Sequence, residues 1–178
     1  MNSHSIPNDP KIRKANQWTK ALLAIYLLVL VWIILLKLGV QFSYMEKRSV
    51  NLIPFITLYL SKMEVLLNVV IFIPLGTYTA TLMKSWSFSK QLFSFFLLSL
   101  LFESLQIILK IGTFDVTDLI TNTMGGWIGY LLYQIFHQVL KDTVKTQQIV
   151  NRIASIGTFL MITLLILLKL NMLPIRYQ

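Results

Sequence analysis

The chain has 178 residues, of which 56% are hydrophobic and only 13% are charged, and its mean hydropathy is +0.68. A soluble domain carries about 25% charged residues, so this composition excludes an ordinary soluble protein and indicates one membrane domain. The absence of cysteine excludes a disulfide framework, a thiolate nucleophile and a Cys-ligated metal. The formal charge of +9 fits Lys and Arg that flank membrane spans and contact anionic lipid, so no nucleic-acid partner is predicted.

Apolar runs divide the chain into membrane spans. The hydrocarbon core of a bilayer is about 30 Å thick, and a helix needs roughly 20 apolar residues to cross it. Residues 1–17 are predicted to be a polar, basic tail, and residues 18–178 a single polytopic membrane domain. The first run is too long for a cleavable signal and lacks a cleavage site, so it is an uncleaved span. The predicted fold is an all-α bundle of about five transmembrane helices: Trp18–Leu38, Val65–Met83, Leu92–Leu109, Leu119–Phe136 and Ile153–Leu170.

The positive charges in the loops predict the orientation. With the N-terminus inside, the inner segments hold nine Lys and Arg residues and the outer segments hold seven. The side with the excess is normally cytoplasmic. We therefore expect a multi-pass protein of the cell membrane with a cytoplasmic N-terminus and, after five spans, a C-terminus outside.

A short apolar segment, Asn51–Leu60, lies on the predicted outer side. It is too short to cross the membrane, and Pro54 interrupts a helix at its start. Two interpretations remain open. The segment is either a re-entrant or interfacial element, or a short amphipathic loop packed on the bundle.

Polar side chains in and beside three of the spans predict a site. Such groups are costly in hydrocarbon and usually face a bundle interior, a cavity or a partner. From the helical rise, Asn68 and Asn122 lie roughly 5 Å, and Glu103 roughly 9 Å, from the outer ends of their spans. Other polar residues share helix faces with these. The predicted outward-facing pocket that binds a ligand comprises Asn68, Glu103, Gln106, Asp115, Asp118 and Asn122.

Some of these motifs also have a purely structural interpretation. Asp115 or Thr117 can cap the helix that begins there, although one cap does not use two aspartates. Gly125 and Gly129, in a G-x-x-x-G pattern, predict close helix packing, and Pro74 predicts a kink. Three carboxylates and two amides suit a hard cation, but the D-V-T-D spacing is too common to predict one. No metal and no cofactor is expected.

Four motifs, in this order and spacing, resemble the VanZ-like family of small bacterial membrane proteins. Each motif is weak alone, but four in series are fairly specific, and together they span a core of about residues 51–130. The first and fifth spans carry no motif. The motifs are N-L-I-P-F at Asn51–Phe55, N-V-V-I-F-I-P-L-G at Asn68–Gly76, E-S-L-Q at Glu103–Gln106 and D-V-T-D-L-I-T-N-T-M-G-G at Asp115–Gly126.

The resemblance implies an association with low-level resistance to teicoplanin, a lipid-bearing glycopeptide antibiotic that targets cell-wall precursors. The partners it implies are membrane lipids and a lipid-linked cell-wall precursor or the lipoglycopeptide itself. Many members have a Gly-Arg pair just before the first aspartate of the last motif. This chain has Ile111–Phe114 there, with Lys110 as the nearest base. Lys lacks the bidentate fork of Arg, so any phosphate or carboxylate contact made by that arginine is in doubt here.

Three functions are compatible with these patterns. The first is a non-enzymatic envelope protein that binds a lipid, a precursor or a lipoglycopeptide at the outer leaflet and lowers antibiotic access. The second is a membrane enzyme with Glu103 as general acid or base and with Asp115 and Asp118 holding a cation. No nucleophile or complete signature supports it, so no catalytic residue is assigned. The third is a small proton-coupled carrier, against which the absence of an internal repeat argues.

Overall fold

The computed structural model describes residues 10–36, 50–55 and 62–170. In this part of the chain five helices account for nearly all the secondary structure, and two strands of two residues each form a small parallel ladder. The elements, in chain order, are α1 (Pro10–Leu36), β1 (Val50–Asn51), α2 (Lys62–Leu82), α3 (Phe88–Ile108), β2 (Phe114–Asp115), α4 (Val116–Leu140) and α5 (Thr143–Lys169).

The five helices alternate in direction. A bond from Gln106 to Ile34 joins the ends of α1 and α3, and a bond from Asn68 to Asp118 joins the starts of α2 and α4. At the opposite end, Gln147 of α5 contacts Asn16 of α1, so both helices start there. We call the end with the ladder and the starts of α2 and α4 the site end, and the end where α1, α3 and α5 begin the basic end.

The predicted fold class, an all-α membrane protein, is confirmed. Four helices, α1, α2, α3 and α5, are long and apolar enough to cross a membrane. Helix α4 has 25 residues, a length of about 37 Å, but it is not among these four. Its buried residues include Thr117, Thr121, Asn122 and three glycines. A helix can be this polar inside a bundle because its polar groups pair with protein rather than with lipid.

Two helices begin well before their apolar runs. Helix α1 starts at Pro10, inside the segment predicted as a tail, because a proline at the first helical position has its φ preset and loses no intrahelical bond. Helix α5 starts at Thr143, ten residues before the predicted span at Ile153. Asp142 accepts the main-chain N–H groups of Val144 and Lys145 at 2.9 and 3.1 Å, and so caps the helix.

The core lies between α1, α2 and α3. Tyr26 packs against Tyr78 with ring centroids 5.7 Å apart, and Phe72 meets Phe102 edge to face. Pro74 lies inside a continuous α2. The Tyr26 hydroxyl donates to the carbonyl of Ile71 at 2.9 Å, which supports the turn before the proline from α1.

Helices α2 and α4 touch along their backbones, as the G-x-x-x-G pattern predicted. A methyl group added at Gly129 would collide with the carbonyl oxygen of Ile73, and one at Gly125 with that of Val69. From the other side, a methyl group at Gly76 would collide with the carbonyl of Gly126. This contact fixes the height of α4 against α2, and therefore the position of the polar residues at its start.

The outer segment begins as a strand. Val50 and Asn51 pair in parallel with Phe114 and Asp115, an arrangement that the sequence did not predict. The next residues turn, with Leu52 and Ile53 more than half exposed. Residues 56–60 of the predicted interfacial element lie outside the described residues, so its two interpretations both stand.

Candidate functional site

The ladder places the first aspartate of the site. Asn51 is the register partner of Asp115, and its side-chain amide donates to Asp115 Oδ2 at 3.0 Å. The other carboxylate oxygen, Oδ1, accepts the main-chain N–H of Thr117 at 2.7 Å, so Asp115 is the N-cap of α4. The Thr117 hydroxyl accepts the N–H of Phe55 at 3.0 Å. The outer segment is thus tied to the start of α4 by side chains as well as by main chain.

Glu103 lies directly behind this cap. It belongs to the last turns of α3, and its side chain is only 2% exposed. Its Oε2 accepts the main-chain N–H of Asp115 at 3.0 Å. A carboxyl group in this position connects α3 to the junction between β2 and α4. Ionisable groups buried in a membrane protein are expensive, so a site with Glu103 inside it is a functional candidate on physical grounds.

A second aspartate pairs with the second helix. Asp118 lies in the first turn of α4, where a negative charge interacts favourably with the helix dipole. The Asn68 amide of α2 donates to Asp118 Oδ1 at 2.7 Å, a short, charge-assisted bond. One aspartate therefore caps α4 and the other joins α4 to α2, which agrees with the expectation that a single cap would not use both.

One turn further along α4, Asn122 has a side-chain oxygen that accepts no hydrogen bond from the described residues. Asn122 is 3% exposed, and its Nδ2 donates to the hydroxyl of Ser99 at 3.1 Å. Its Oδ1 is buried with no hydrogen-bond partner in the described part of the chain. An unsatisfied buried acceptor costs about 1–3 kcal/mol. A donor that reached this oxygen would recover that free energy.

Comparisons with known proteins identify the family of the chain. The family model described as VanZ/LLP1 matches residues 23–137, which include all six predicted site residues and most of α1 to α4. A curated relative, Protein VanZ of Enterococcus faecium, is 36% identical over 152 residues, covering 83% of this chain and 91% of that protein. The chain belongs to the VanZ/LLP1 family. No solved structure matches it.

The VanZ/LLP1 fold brings five of the six predicted residues together where α2, α3 and α4 meet. Gln106 is the exception. Its Nε2 donates to the carbonyl of Ile34 at 3.1 Å, and its side chain packs 3.2 Å from where a Cβ of Gly112 would lie. Gln106 therefore connects α3 to α1 and to the loop after α3, a structural position. That any of the six binds a ligand stays a prediction.

Two residues of the site were missed by the sequence analysis. Ser99 is fully buried and holds Asn122, and it precedes Glu103 by four residues, a spacing that puts both on one face of α3. Asn51 belongs to the first family motif, and its role depends on the ladder. The spacing of Ser99 was a usable signal, whereas two-residue strands leave no periodicity to detect.

The chemistry available is that of carboxylates and amides. Within the described ranges, no group of three or more His, Cys, Asp and Glu residues is placed to hold a metal ion. Lys110, the nearest base to the last motif, is exposed and adopts a left-handed backbone conformation at φ 57° just after α3. The arrangement suits a ligand that offers hydroxyl or amine donors, or the uptake and release of a proton by Glu103.

Proposed function

We propose that this protein lowers the susceptibility of the cell to lipoglycopeptide antibiotics such as teicoplanin, at the cell envelope and without destroying the drug. The polar site at the site end faces the outer leaflet. It binds a donor-rich group, either of a lipid-linked cell-wall precursor or of the lipoglycopeptide. The proposal rests on the membership of the VanZ/LLP1 family together with one structural observation. Glu103 is buried on the same face of α3 as Ser99, and Ser99 holds Asn122, whose side-chain oxygen has no hydrogen-bond partner among the described residues.

The physical argument concerns where the drug is. A lipoglycopeptide inserts its acyl chain into the outer leaflet, so its polar part is held at the membrane surface. There a membrane protein can reduce the access of the drug to its target without breaking any bond of the drug. Sugars and peptides are rich in hydroxyl and amide donors, which match carboxylate and carbonyl acceptors.

The test compares inhibitory concentrations in a susceptible Gram-positive host. Expression of wild-type protein should raise tolerance to teicoplanin more than tolerance to vancomycin, which lacks the acyl chain. Glu103→Gln should lose this effect at equal membrane abundance, because the near-isosteric amide keeps the size of the side chain but not its charge. The matched control is Glu64→Gln, since Glu64 is an exposed carboxylate in the first turn of α2 at the same end.

Three results would contradict the proposal. No shift for either drug, at verified expression, removes the resistance function. Equal loss in both variants shows that any carboxylate at this end matters, so Glu103 has no special role. Chemically modified drug, detected by mass spectrometry of drug recovered from the culture, shows that the protein is an enzyme instead.

The orientation has its own test. The chain has no cysteine, so single-cysteine variants need no altered background. Thr113 and Ser85 are exposed in loops at the site end and at the basic end, respectively. Cysteine at 113 should react with an impermeant thiol reagent on whole cells, and cysteine at 85 should not. The reverse labelling would put the site on the cytoplasmic side and end the outer-leaflet mechanism.

A further inference from the structure

A groove at the basic end lies between the starts of α1 and α5. It has a volume of about 610 Å³, within the range of roughly 300–1,000 Å³ typical of small-molecule sites. Its α1 wall comes from residues at i, i+3 and i+7, namely Lys11, Lys14 and Trp18. Its α5 wall includes Arg152 and Ile156. None of these residues belongs to the polar site described above.

The floor of the groove is closed by bonds within the protein. Ala15 and Asn151 line it, and both are nearly buried. The Asn151 amide donates to the carbonyl of Ala15 at 3.1 Å. The indole N–H of Trp18 donates across the groove to the Ser155 hydroxyl at 3.1 Å. These bonds hold the two walls together, so the groove is a built feature of the helix pair.

The positive charges that line the groove favour an anionic ligand. Among the described residues that line it, the charged ones are all basic: Lys11, Lys14 and Arg152. An arginine beside lysines is the usual surroundings of a phosphate, since guanidinium bonds two of its oxygens at once and lysine adds a compact positive charge.

The exposed apolar residues beside the groove favour an anionic lipid, which has acyl chains, over a soluble anion. Trp18 and Ile156 are 56% and 62% exposed in its walls. One helical repeat further into the bundle, Ile25 follows Trp18 on α1, and Phe159 follows Arg152 on α5, and both are exposed. Trp is favoured at the headgroup level of membranes, where one side of the ring is wet and the other apolar.

We propose that this groove binds an anionic phospholipid. The phosphate lies against Lys14 and Arg152, the Trp18 ring lies at the level of the glycerol, and the acyl chains run along Ile25, Ile156 and Phe159. Bound lipid then joins α1 to α5 at the basic end. The site is independent of the function proposed for the site end, and it does not depend on which leaflet the basic end faces.

The experiment measures lipid binding to purified full-length protein in mixed micelles. Phosphatidylglycerol should bind more tightly than phosphatidylcholine. Each basic residue near an anionic headgroup is worth about fivefold in binding, so Lys14→Gln with Arg152→Gln should weaken phosphatidylglycerol binding by about tenfold or more. The control, Lys20→Gln with Lys90→Gln, removes the same charge from exposed residues at the same end that do not line the groove, and it should change binding less than about twofold.

A second readout locates the lipid. Brominated phosphatidylglycerol quenches a nearby tryptophan, so wild-type fluorescence should lose a component that is missing in Trp18→Phe. Four outcomes overturn the proposal: equal loss of binding in the control, equal affinity for phosphatidylcholine, displacement of the lipid by millimolar inorganic phosphate, or quenching that is unchanged in Trp18→Phe. A fifth outcome also overturns it: if the wild-type protein is a dimer in these micelles and the groove variant is a monomer, the groove is a contact between two copies of the chain.

Discussion

The two ends of the bundle each contain a buried polar network, and the networks differ in kind. At the site end, carboxylates are at the centre: Glu103 accepts from the main chain of Asp115, and Asp118 accepts from Asn68. At the basic end, the described residues of the network between α1 and α5 contribute side-chain amides, hydroxyls and a main-chain carbonyl. Gln147 donates to Asn16 and to Thr19 at 2.7 and 2.9 Å.

The two networks differ in the groups that they contain: neutral groups that join helices in one, and carboxyl groups in the other. In the α1–α5 network, neutral donors meet neutral acceptors, which is how polar residues usually join helices in a membrane. In the site network, ionisable carboxyl groups lie where a charge would be costly, and one acceptor, Asn122 Oδ1, has no hydrogen-bond partner among the described residues. The family match, residues 23–137, contains the site network, whereas Asn16, Thr19, Gln147 and Asn151 of the α1–α5 network lie outside it. We infer that the first network serves function and the second serves assembly.

The largest effect is expected where the site network depends on the contact between α2 and α4. Gly129→Val should strongly reduce accumulation of folded protein, because its side chain would collide with the main-chain carbonyl of Ile73, and overpacking typically costs about 1–3 kcal/mol. Gly157→Val is the matched control, since a Cβ there meets no atom within 4 Å. The measurement is size-exclusion chromatography of solubilised membranes. Similar profiles for the two variants would mean that α2 and α4 do not approach this closely.

The sequence was sufficient to find the helices but not their polar extensions. Apolar runs located all five helices because lipid requires apolar surface over a whole span. The starts of α1 and α5 were missed for the same reason. Asn16 and Thr19 lie before or at the edge of the first run, and Gln147 and Asn151 lie before the last one, where the pattern contains no lipid-facing stripe. The spacing of Gln147, Asn151 and Ser155 by four residues was the available signal.

The contacts within the site were predicted better than the contacts that connect it to α1 and β1. Asp115 as a cap, the pairing of the second aspartate and the glycine contact all follow from local spacing. The direction of Gln106 toward Ile34 does not, because helix α1 is distant in sequence and its main-chain carbonyl carries no residue-specific signal. The ladder with Asn51 could not be predicted either, since Asn51 and Asp115 are 64 positions apart in the sequence and meet only in the folded chain.

A smaller effect is expected in the α1–α5 network, and its pattern sharpens the contrast. Asn151→Leu removes the bonds to Thr19 and to the Ala15 carbonyl, and leaves those groups without that partner. The free energy of unfolding should fall by about 1–3 kcal/mol. Tolerance to teicoplanin per folded molecule should not change, in contrast to Glu103→Gln. Thermal unfolding in detergent, with expression-matched inhibitory concentrations, measures both. Loss of tolerance at equal abundance would give the α1–α5 network a functional part and remove the distinction.

The smallest effect is expected at the exposed start of α5, where the basic end has its one described acidic residue, Asp142. The pKa of this carboxyl is held below its ordinary value of 3.8, first by the main-chain N–H of Lys145, then by that of Val144 and by the Lys145 ammonium 3.8 Å away. Because the folded pKa is depressed, the stabilisation is complete above pH 3.8 and is lost as the pH falls through the folded pKa. Ala at 142 removes the cap at every pH, so Asp142→Ala should lower the melting temperature slightly at pH 7, and the gap to wild type should close below pH 3.8. Asp142→Asn keeps a capping oxygen and should lie between them at pH 7. A gap that is constant with pH would mean that the charge of Asp142 contributes nothing and that its side chain stabilises the helix start only as an uncharged capping acceptor.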